Sequence, residues 1–394
     1  MSLFTREPGS HRKVLVGTLG VAAACLLAAC GTSSGASSGA SSSTGASKTS
    51  QQGPTASDVA YAKSTVAAAE AVPSWTPPGS SVNTSSLKGK TLLVIPLTTA
   101  VSFCNDLDAS TETAAKAIGM NVQVYPTTGQ PSQWAAGIEQ GISEHVAAIA
   151  LECAINPSLI TPQLQAAKSA GIPVIDSVLT DPSEPVPSSL TGVTSDLYYQ
   201  GMKLEALDAI ATQNGKPVHA LLLSSSSFLT SPGMTKAFED ELAKRCGSQC
   251  TVDNVDIPLT QWATQVQSSV SSALTSHPDI NTIAIEFDGM VPLVLPGVGS
   301  ATGVGLYAWG GGTSVVNTMP KTPSLKMDIG EGPVRIGYTV VDEVARALVL
   351  HKTSINETVP IRAFTLSNYA ADSDPTSGYG NAFIPGFRSL WGLG

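Results

Sequence analysis

The stretch AAIALECAINPSLITPQLQAAKSAGIPVI, residues 147–175, decides the fold. Its first part is an apolar run that ends at Glu152 and has the length of a buried strand. A helical stretch then runs from Asn156 to Gly171, and the apolar run IPVID, residues 172–176, follows it. A helix between two buried strands is typical of a crossover in a parallel sheet. The stretch therefore predicts an α/β protein.

The same alternation of strands and helices continues on both sides of this stretch. Further strands are predicted at 91–97, 121–126, 217–225, 251–258, 280–288, 303–309 and 324–329. Further helices are predicted at 106–118, 131–145, 198–213, 232–244, 261–276 and 334–350. Two such runs, each of about 100–150 residues, predict two doubly wound parallel-sheet lobes.

The N-terminal residues have the pattern of an export signal. A basic start that includes Arg12 and Lys13 precedes an uncharged apolar run over 14–29, which is shorter than the about 20 residues of a membrane span. An uncleaved anchor helix is the alternative. Leu27-Ala28-Ala29-Cys30 resembles the bacterial lipobox, which implies that 1–29 is a lipoprotein signal and that Cys30 carries a lipid anchoring the chain to the outer face of the cytoplasmic membrane.

Two segments separate this signal from the first lobe. Residues 30–57 are rich in Ser, Gly, Ala and Thr, which is typical of a flexible tether. Residues 58–88 predict a helix followed by a Pro-rich brace around Trp75.

Charge and motifs exclude several function classes. The net charge is −9 and no lysine- or arginine-rich block is present, so nucleic acid is not expected as a partner. No histidine after the signal is paired in the sequence with a serine or cysteine and an acid, and neither a phosphate-binding G-x-x-x-x-G-K-[ST] motif nor H-E-x-x-H occurs. We expect a binding protein without enzymatic activity, cofactor or metal, and a hydrolase remains a remote alternative.

The cysteines predict two disulfides. Cys25 leaves with the signal and Cys30 is lipidated, so four remain, Cys104, Cys153, Cys246 and Cys250. An even remainder in an exported protein indicates disulfides, and three pairings are possible. Zinc binding at 246–250 is the alternative, but the spacing offers neither a nearby histidine nor a second cysteine pair.

Candidate ligand-binding residues follow the predicted strands, because open parallel sheets bind ligands beyond the carboxyl ends of their strands. The candidates are Phe103, Glu152, Asp176, Ser177, Phe228, Phe287, Asp288, Trp309 and Glu331. Core packing is the alternative for Phe228 and helix capping for Asp288. Trp134 and Trp262 lie on predicted helices and are assigned to packing.

Four segments resemble a known family. They are TETAAKAIGMNVQVY (111–125), the opening stretch (147–175), GVTSDLYYQGMKLEALDAI (192–210) and HPDINTIAIEFDGMV (277–291). In this order and spacing they resemble the type I periplasmic-type solute-binding proteins of ABC importers, the ribose- and galactose-binding group. The resemblance covers residues 90–366.

The resemblance implies two lobes that close on a small molecule. The lobes would comprise 89–195 with 331–360, and 196–330 with 361–394. The hinge would lie at Asp196, Gly330, Gly332 and Pro360. A monomer would deliver its ligand to a membrane permease, or alternatively present it to a chemotaxis or two-component receptor. The family fold also brings the ends of strands one and three together, which implies the pairs Cys104–Cys153 and Cys246–Cys250.

Several residues depart from the sugar-binding pattern of this family. Uncharged residues, Ser177 to Leu179, stand where the family carries an Asp-Arg pair, and Phe287 stands where it carries an asparagine. Sugar hydroxyls need polar partners, so these changes favour an aromatic or partly apolar ligand, with a sugar still open. Glu152, Asp288 or Glu331 would pair with such a ligand if it is cationic.

Overall fold

The computed structural model describes residues 53–369 and 378–394, in which strands and helices alternate along the chain. The predicted signal (1–29), Cys30 and most of the tether lie outside the described residues. The strands are β1 (Thr91–Pro96), β2 (Asn121–Val124), β3 (Ala148–Glu152), β4 (Val174–Thr180), β5 (Gly192–Asp196), β6 (His219–Ser224), β7 (Thr251–Asp256), β8 (Thr282–Ile285), β9 (Gly305–Gly310), β10 (Leu325–Glu331), β11 (Ile355–Val359) and β12 (Ile361–Phe364).

The helices follow the predicted order. They are α1 (Ala56–Ala69), α2 (Ser102–Ala117), α3 (Pro131–Ser143), α4 (Thr161–Ser169), α5 (Tyr198–Gln213), α6 (Ser231–Cys246), α7 (Trp262–Ser276), α8 (Val291–Val298), α9 (Thr313–Val316), α10 (Pro333–Leu350) and α11 (Phe383–Leu390). The stretch 147–175 forms β3, a short 3-10 turn at Pro157–Leu159, α4 and the start of β4. The crossover expected from its sequence is therefore present.

Two six-stranded sheets form the core. The first has the order β11-β5-β4-β3-β1-β2 and all of its pairings are parallel. The second has the order β12-β10-β9-β8-β6-β7, with β12 antiparallel to β10. Strand β1 is buried from Leu92 to Pro96, as expected for a strand covered on both faces. The doubly wound α/β fold class is confirmed.

The chain passes between the two sheets three times. The passages follow β5 at Asp196, β10 at Glu331, and β11 at Pro360, which separates β11 from β12. These passages lie at the hinge positions that the family resemblance implies. The five-residue strand β11 alternates buried and exposed residues, as an edge strand does. Its Asn, Glu and Thr residues interrupt the apolar pattern, so the sequence did not predict this strand.

The C-terminal helix differs from its predicted placement. Residues 361–394 were expected to belong to the second lobe, but α11 packs against α10, which covers the first sheet. The indole Nε1 of Trp391 donates to Asp342 Oδ1 at 2.7 Å, and the Trp391 ring stacks on Tyr338 with centroids 5.7 Å apart. The buried side chains of Phe383, Phe387 and Leu390 give α11 an apolar face that requires this contact.

The segment before β1 contacts two helices, α5 and α11. Helix α1 begins at a capping box formed by Thr55 and Asp58, and it packs against α5. Trp75 contacts Phe387 of α11, with ring centroids 4.7 Å apart. Among the residues described, no helix combines the length and apolarity that crossing a bilayer requires.

Candidate functional site

A cavity of about 60 Å³ lies where the strand ends of the two sheets meet. The first sheet contributes residues after β1 and β3, Val178 within β4 and Tyr198 after β5, and the second contributes residues at or after the ends of β6 to β10. The lining residues are Leu97, Val101, Phe103, Cys104, Cys153, Ala154, Val178, Tyr198, Phe228, Leu259, Trp262, Phe287, Asp288, Gly289, Trp309, Gly310 and Glu331. Ligand groups are expected at this edge of a parallel sheet.

Aromatic rings form most of one wall. The rings of Phe228 and Phe287 have centroids 4.1 Å apart, and Trp262 stacks on Phe287 at 6.2 Å. The Nε1 of Trp262 donates to the carbonyl oxygen of Ile257 at 2.9 Å, which holds the indole in place. Trp309 packs against Tyr198 at 5.1 Å. Such a wall presents flat apolar faces to a ligand.

Two carboxyl groups, those of Asp288 and Glu331, also line the cavity. Asp288 Oδ2 accepts the backbone N–H of Gly312 at 2.8 Å. The short helix at residues 288–290 has no side-chain cap, so the capping role considered for Asp288 is not observed. Glu331 is 2% exposed and lies beside the buried acid Asp196, whose charge raises its pKa. The described lining residues include no lysine, arginine or histidine.

Burial raises the pKa values of these acids. Desolvation raises the pKa of Asp288 to about 6 and that of Asp196 to about 7. The pKa of Glu331 is raised well above its usual range, first by desolvation and then by the charge of Asp196. These acids therefore hold their protons to higher pH than exposed carboxyl groups do, because the lining residues supply no positive charge.

Three candidate ligand residues lie behind the cavity wall. Glu152, Asp176 and Ser177 are fully buried, and none is a lining residue. Glu152 Oε1 accepts from the hydroxyl of Thr111 at 2.8 Å, and Ser177 Oγ accepts the N–H of Cys153 at 2.9 Å. These polar groups hold α2 and the loop after β3. This placement corrects the expectation that they line the cavity, because Cys153 and Ala154 after β3 and Val178 within β4 reach it instead.

The other six candidates meet at the cavity. They are Phe103, Phe228, Phe287, Asp288, Trp309 and Glu331. The sequence did not indicate Tyr198, Val178 and Leu259 as lining residues, and Trp262 was assigned to packing. Trp262 and Tyr198 each follow a strand within a few residues, so the strand-end rule applied to more positions would have found them.

The loops around the cavity hold unusual backbone conformations. Cys153, Ala154 and Val178 all have positive φ angles, of 74°, 61° and 47°, and all three line the cavity. A β-branched residue rarely adopts this conformation. The N–H of Val178 donates to Thr194 Oγ1 at 2.7 Å, and its carbonyl oxygen accepts from the hydroxyl of Tyr198. Such strain concentrates where a fold positions functional groups.

Both expected disulfides are present. Cys104 pairs with Cys153 and joins the first turn of α2 to the residue after β3, at the cavity. Cys246 pairs with Cys250 and joins the end of α6 to the residue before β7. Among the described residues, no group of His, Cys, Asp and Glu has the arrangement of a metal site.

Residues at the passages between the sheets are tightly packed. The carboxyl Oδ1 of Asp196 accepts the N–H of Leu197 at 2.9 Å. A Cβ on Gly330 would lie 2.3 Å from the carbonyl oxygen of Gly310, so glycine is required there. A hydrogen bond of 2.7 Å between the hydroxyls of Ser102 and Ser314 connects α2 with α9. The two sides of the cleft are therefore in contact.

Two α/β sheets, three passages between them and a cavity between strand ends define a two-lobe α/β protein. The family described as periplasmic binding protein domain matches residues 92–352, and the chain belongs to this family. The sequence resemblance is thereby confirmed. The family is one of binding proteins, in agreement with the prediction of a protein that is not an enzyme. No curated protein sequence matches the chain.

Solved structures of solute-binding proteins share the fold. A protein from Burkholderia graminis in complex with D-arabinose is 18% identical with a TM-score of 0.64, over 73% of this chain and 99% of that one. One from Agrobacterium vitis with allitol is 16% identical with a TM-score of 0.62, over 72% and 98%. One from Mycobacterium smegmatis with glycerol is 16% identical with a TM-score of 0.63, over 73% and 97%. At these identities the likeness shows the fold.

Proposed function

We propose that this chain is the solute-binding component of an ABC importer. The observation that carries the proposal is the cavity between the strand ends of the two sheets, because both sheets contribute rings and polar groups to it. The structurally similar proteins are described as ABC transporter solute-binding proteins, which supports the same role. The chain binds its ligand without a cofactor, as a monomer, and delivers it to a membrane permease.

Capture of the ligand works by closure of the lobes. The lobes comprise 89–195 with 331–360, and 196–330 with 361–394, apart from the C-terminal helix that packs on the first lobe. Asp196, Gly330, Gly332 and Pro360 form the hinge, since they lie at the three passages. A ligand that contacts both lobes stabilises the closed form over the open one.

A lipid on Cys30 holds the protein at the outer face of the cytoplasmic membrane. The lipobox-like Leu27-Ala28-Ala29-Cys30 supports this anchor, and the Ser- and Gly-rich residues after it act as the tether. Fractionation of cells that express the chain or its Cys30→Ser variant tests the anchor. Release of the variant from the membrane is expected, and equal retention would contradict the proposal.

The ligand is a small molecule with an aromatic or partly apolar surface and a few polar groups. The ring wall formed by Phe228, Phe287 and Trp262 supports this choice. A sugar or polyol is the second candidate, because similar structures contain D-arabinose, allitol and glycerol.

A thermal-shift screen of the purified protein tests the function. The compounds are D-arabinose, allitol, glycerol, aromatic acids and aromatic amines. A ligand of the native state at a concentration 100 times its Kd adds about 2.7 kcal/mol to the free energy of unfolding, which raises Tm measurably. At least one compound is expected to do so.

Two matched variants connect the shift to the cavity. Phe287→Leu removes a ring from the cavity wall and is expected to reduce the shift. Phe238→Leu makes the same change in the core of α6, outside the cavity, and should lower the baseline Tm while the ligand-induced shift remains. A shift that responds equally to both variants would place the ligand elsewhere.

A further inference from the structure

We propose that the ligand of this cavity is a small organic ammonium ion with an apolar or aromatic body. The inference rests on the proposed function, because it specifies the ligand class for the same cavity. Three observations carry it, namely the charge of the lining residues, the rings around them, and an excess of hydrogen-bond acceptors over donors.

The cavity is lined by acidic side chains without a basic partner from the protein. Asp288 and Glu331 are the acidic lining residues, and both are buried. Glu331 Oε2 has no donor within hydrogen-bond distance, and its partner Asp196 is also an acid. The described lining residues include no Lys, Arg, His, Asn or Gln. A buried carboxylate is costly unless a cation or several donors compensate it, and a ligand ammonium would supply both.

Aromatic rings surround these carboxyl groups. Phe287 directly precedes Asp288 in the chain. Trp309 lies on β9, the strand beside β10, and β10 ends at Glu331. The rings that line the cavity are those of Phe103, Tyr198, Phe228, Trp262, Phe287 and Trp309. The faces of aromatic rings attract ammonium groups, most strongly where water is excluded.

The polar groups of the cavity match an ammonium better than a neutral polyol. The Tyr198 hydroxyl already donates to the carbonyl oxygen of Val178, and the indole of Trp262 already donates to Ile257. The carboxyl groups of Asp288 and Glu331 add acceptors when they are ionised. An ammonium supplies donors and no acceptor, whereas each sugar hydroxyl oxygen also requires a donor. Leu97, Val101 and Leu259 complete an apolar wall for the body of the ligand.

Proton release should accompany binding. Glu331 is faced by Asp196 from β5, Asp288 from the turn after β8, Tyr198 from α5, and Tyr379, with Asp328 on its own strand. Burial among these groups raises the pKa values of Asp288 and Glu331, so they hold protons in the empty cavity. A bound cation favours their ionised forms, and protons leave. Amine affinity should therefore increase as pH rises through about 6, the pKa of Asp288.

Calorimetric titration of the full chain with matched ligand pairs tests the inference. Phenethylamine is compared with 2-phenylethanol, and choline with 3,3-dimethylbutan-1-ol, which share shape and differ in charge. D-arabinose is the sugar probe. At least one cation is expected to bind about tenfold tighter than its neutral analogue, as a charge-assisted contact predicts. Titration in two buffers that differ in ionisation enthalpy is expected to reveal released protons.

Two variants of buried acids test whether Glu331 causes the preference for the cation over its neutral analogue. Glu331→Gln keeps the shape of the side chain and removes its charge, so the preference for the cation over the alcohol should fall by about tenfold. Glu205→Gln is the control, since Glu205 is fully buried on α5 with both carboxyl oxygens unpartnered but does not line the cavity. It should leave the preference unchanged. Circular dichroism and Tm establish that both variants fold.

The outcomes separate this inference from the proposed function. Equal affinity for each cation and its alcohol, or a preference that Glu331→Gln leaves intact, overturns the inference. Binding of D-arabinose without binding of either cation also overturns it, while solute binding stands. If none of the five probes binds, the ammonium assignment is overturned, and the wider thermal-shift screen then decides the solute-binding function.

Discussion

The contact between Gly201 and Trp309 positions a ring of the cavity wall. Gly201 lies within α5, where glycine costs about 1 kcal/mol relative to alanine. A Cβ at this position would lie 1.8 Å from Cζ3 of Trp309. Because the indole occupies the space of a side chain, the helix and the strand β9 approach closely. The glycine is thus explained by packing rather than by helix propensity.

Gly201→Ala is expected to lower the free energy of unfolding by about 2 kcal/mol, because the methyl group overpacks the Trp309 contact. Denaturant titration measures this change. The double variant Gly201→Ala with Trp309→Phe should recover part of the loss, since a smaller ring leaves room for the methyl group. Losses that simply add in the double variant would show that the two residues do not compete for the same space.

At the scale of elements, the two disulfides close loops of different lengths. Cys104–Cys153 joins α2 to the end of β3 across 49 residues of sequence, and Cys246–Cys250 joins α6 to β7 across 4. A cross-link stabilises the fold mainly by restricting the unfolded chain, and the restriction grows with loop length. The first disulfide should therefore contribute more stability than the second.

Paired substitutions test this difference. Replacement of Cys104 and Cys153 by alanine is expected to cost about 4 kcal/mol in the free energy of unfolding, and replacement of Cys246 and Cys250 about 2 kcal/mol, by the chain-entropy relation. Urea unfolding of the two double variants gives both values. A smaller loss for the first pair than for the second would contradict the loop-length explanation.

For the whole molecule, buried carboxyl groups couple stability to pH. Desolvation raises the pKa values of Glu152, Asp196 and Glu286 to about 7 in the folded protein. The unfolded values are near 4, so the folded state binds more protons between these limits. Stability then falls as pH rises from about 4 to about 7, the reverse of the effect of salt-bridged carboxylates.

The free energy of unfolding is expected to be larger at pH 5 than at pH 7.5, and denaturant titrations at both values measure it. Glu286→Gln should reduce the difference by about 2 kcal/mol, since its acid no longer titrates. The exposed Glu239→Gln is the control and should leave the difference unchanged. Greater stability at pH 7.5 than at pH 5 would show that the buried acids do not dominate.

Part of the cavity could be predicted from the sequence because local rules apply there. Phe287 and Asp288 directly follow an apolar run, and parallel strands place such residues at the ligand edge. Trp262 was assigned to packing because it lies at the start of a helix, where an aromatic residue also fits the core, although the strand-end rule extended by a few residues includes it. Glu152 and Asp176 were wrongly predicted to line the cavity. The side chain of a residue near a strand end can point either into the cavity or into the core behind it, and the sequence does not indicate which.

The sequence by itself determined the alternation of strands and helices, the two-lobe architecture and the residues available at the strand ends, because these follow from local periodicity and chain order. Only the tertiary structure decided which of those residues share one cavity, where the short polar strand β11 pairs, and that α11 covers α10. These outcomes depend on contacts between residues far apart in the chain, such as Gly201 with Trp309 and Asp342 with Trp391. Their free energies arise from close packing and buried hydrogen bonds, which no local pattern encodes.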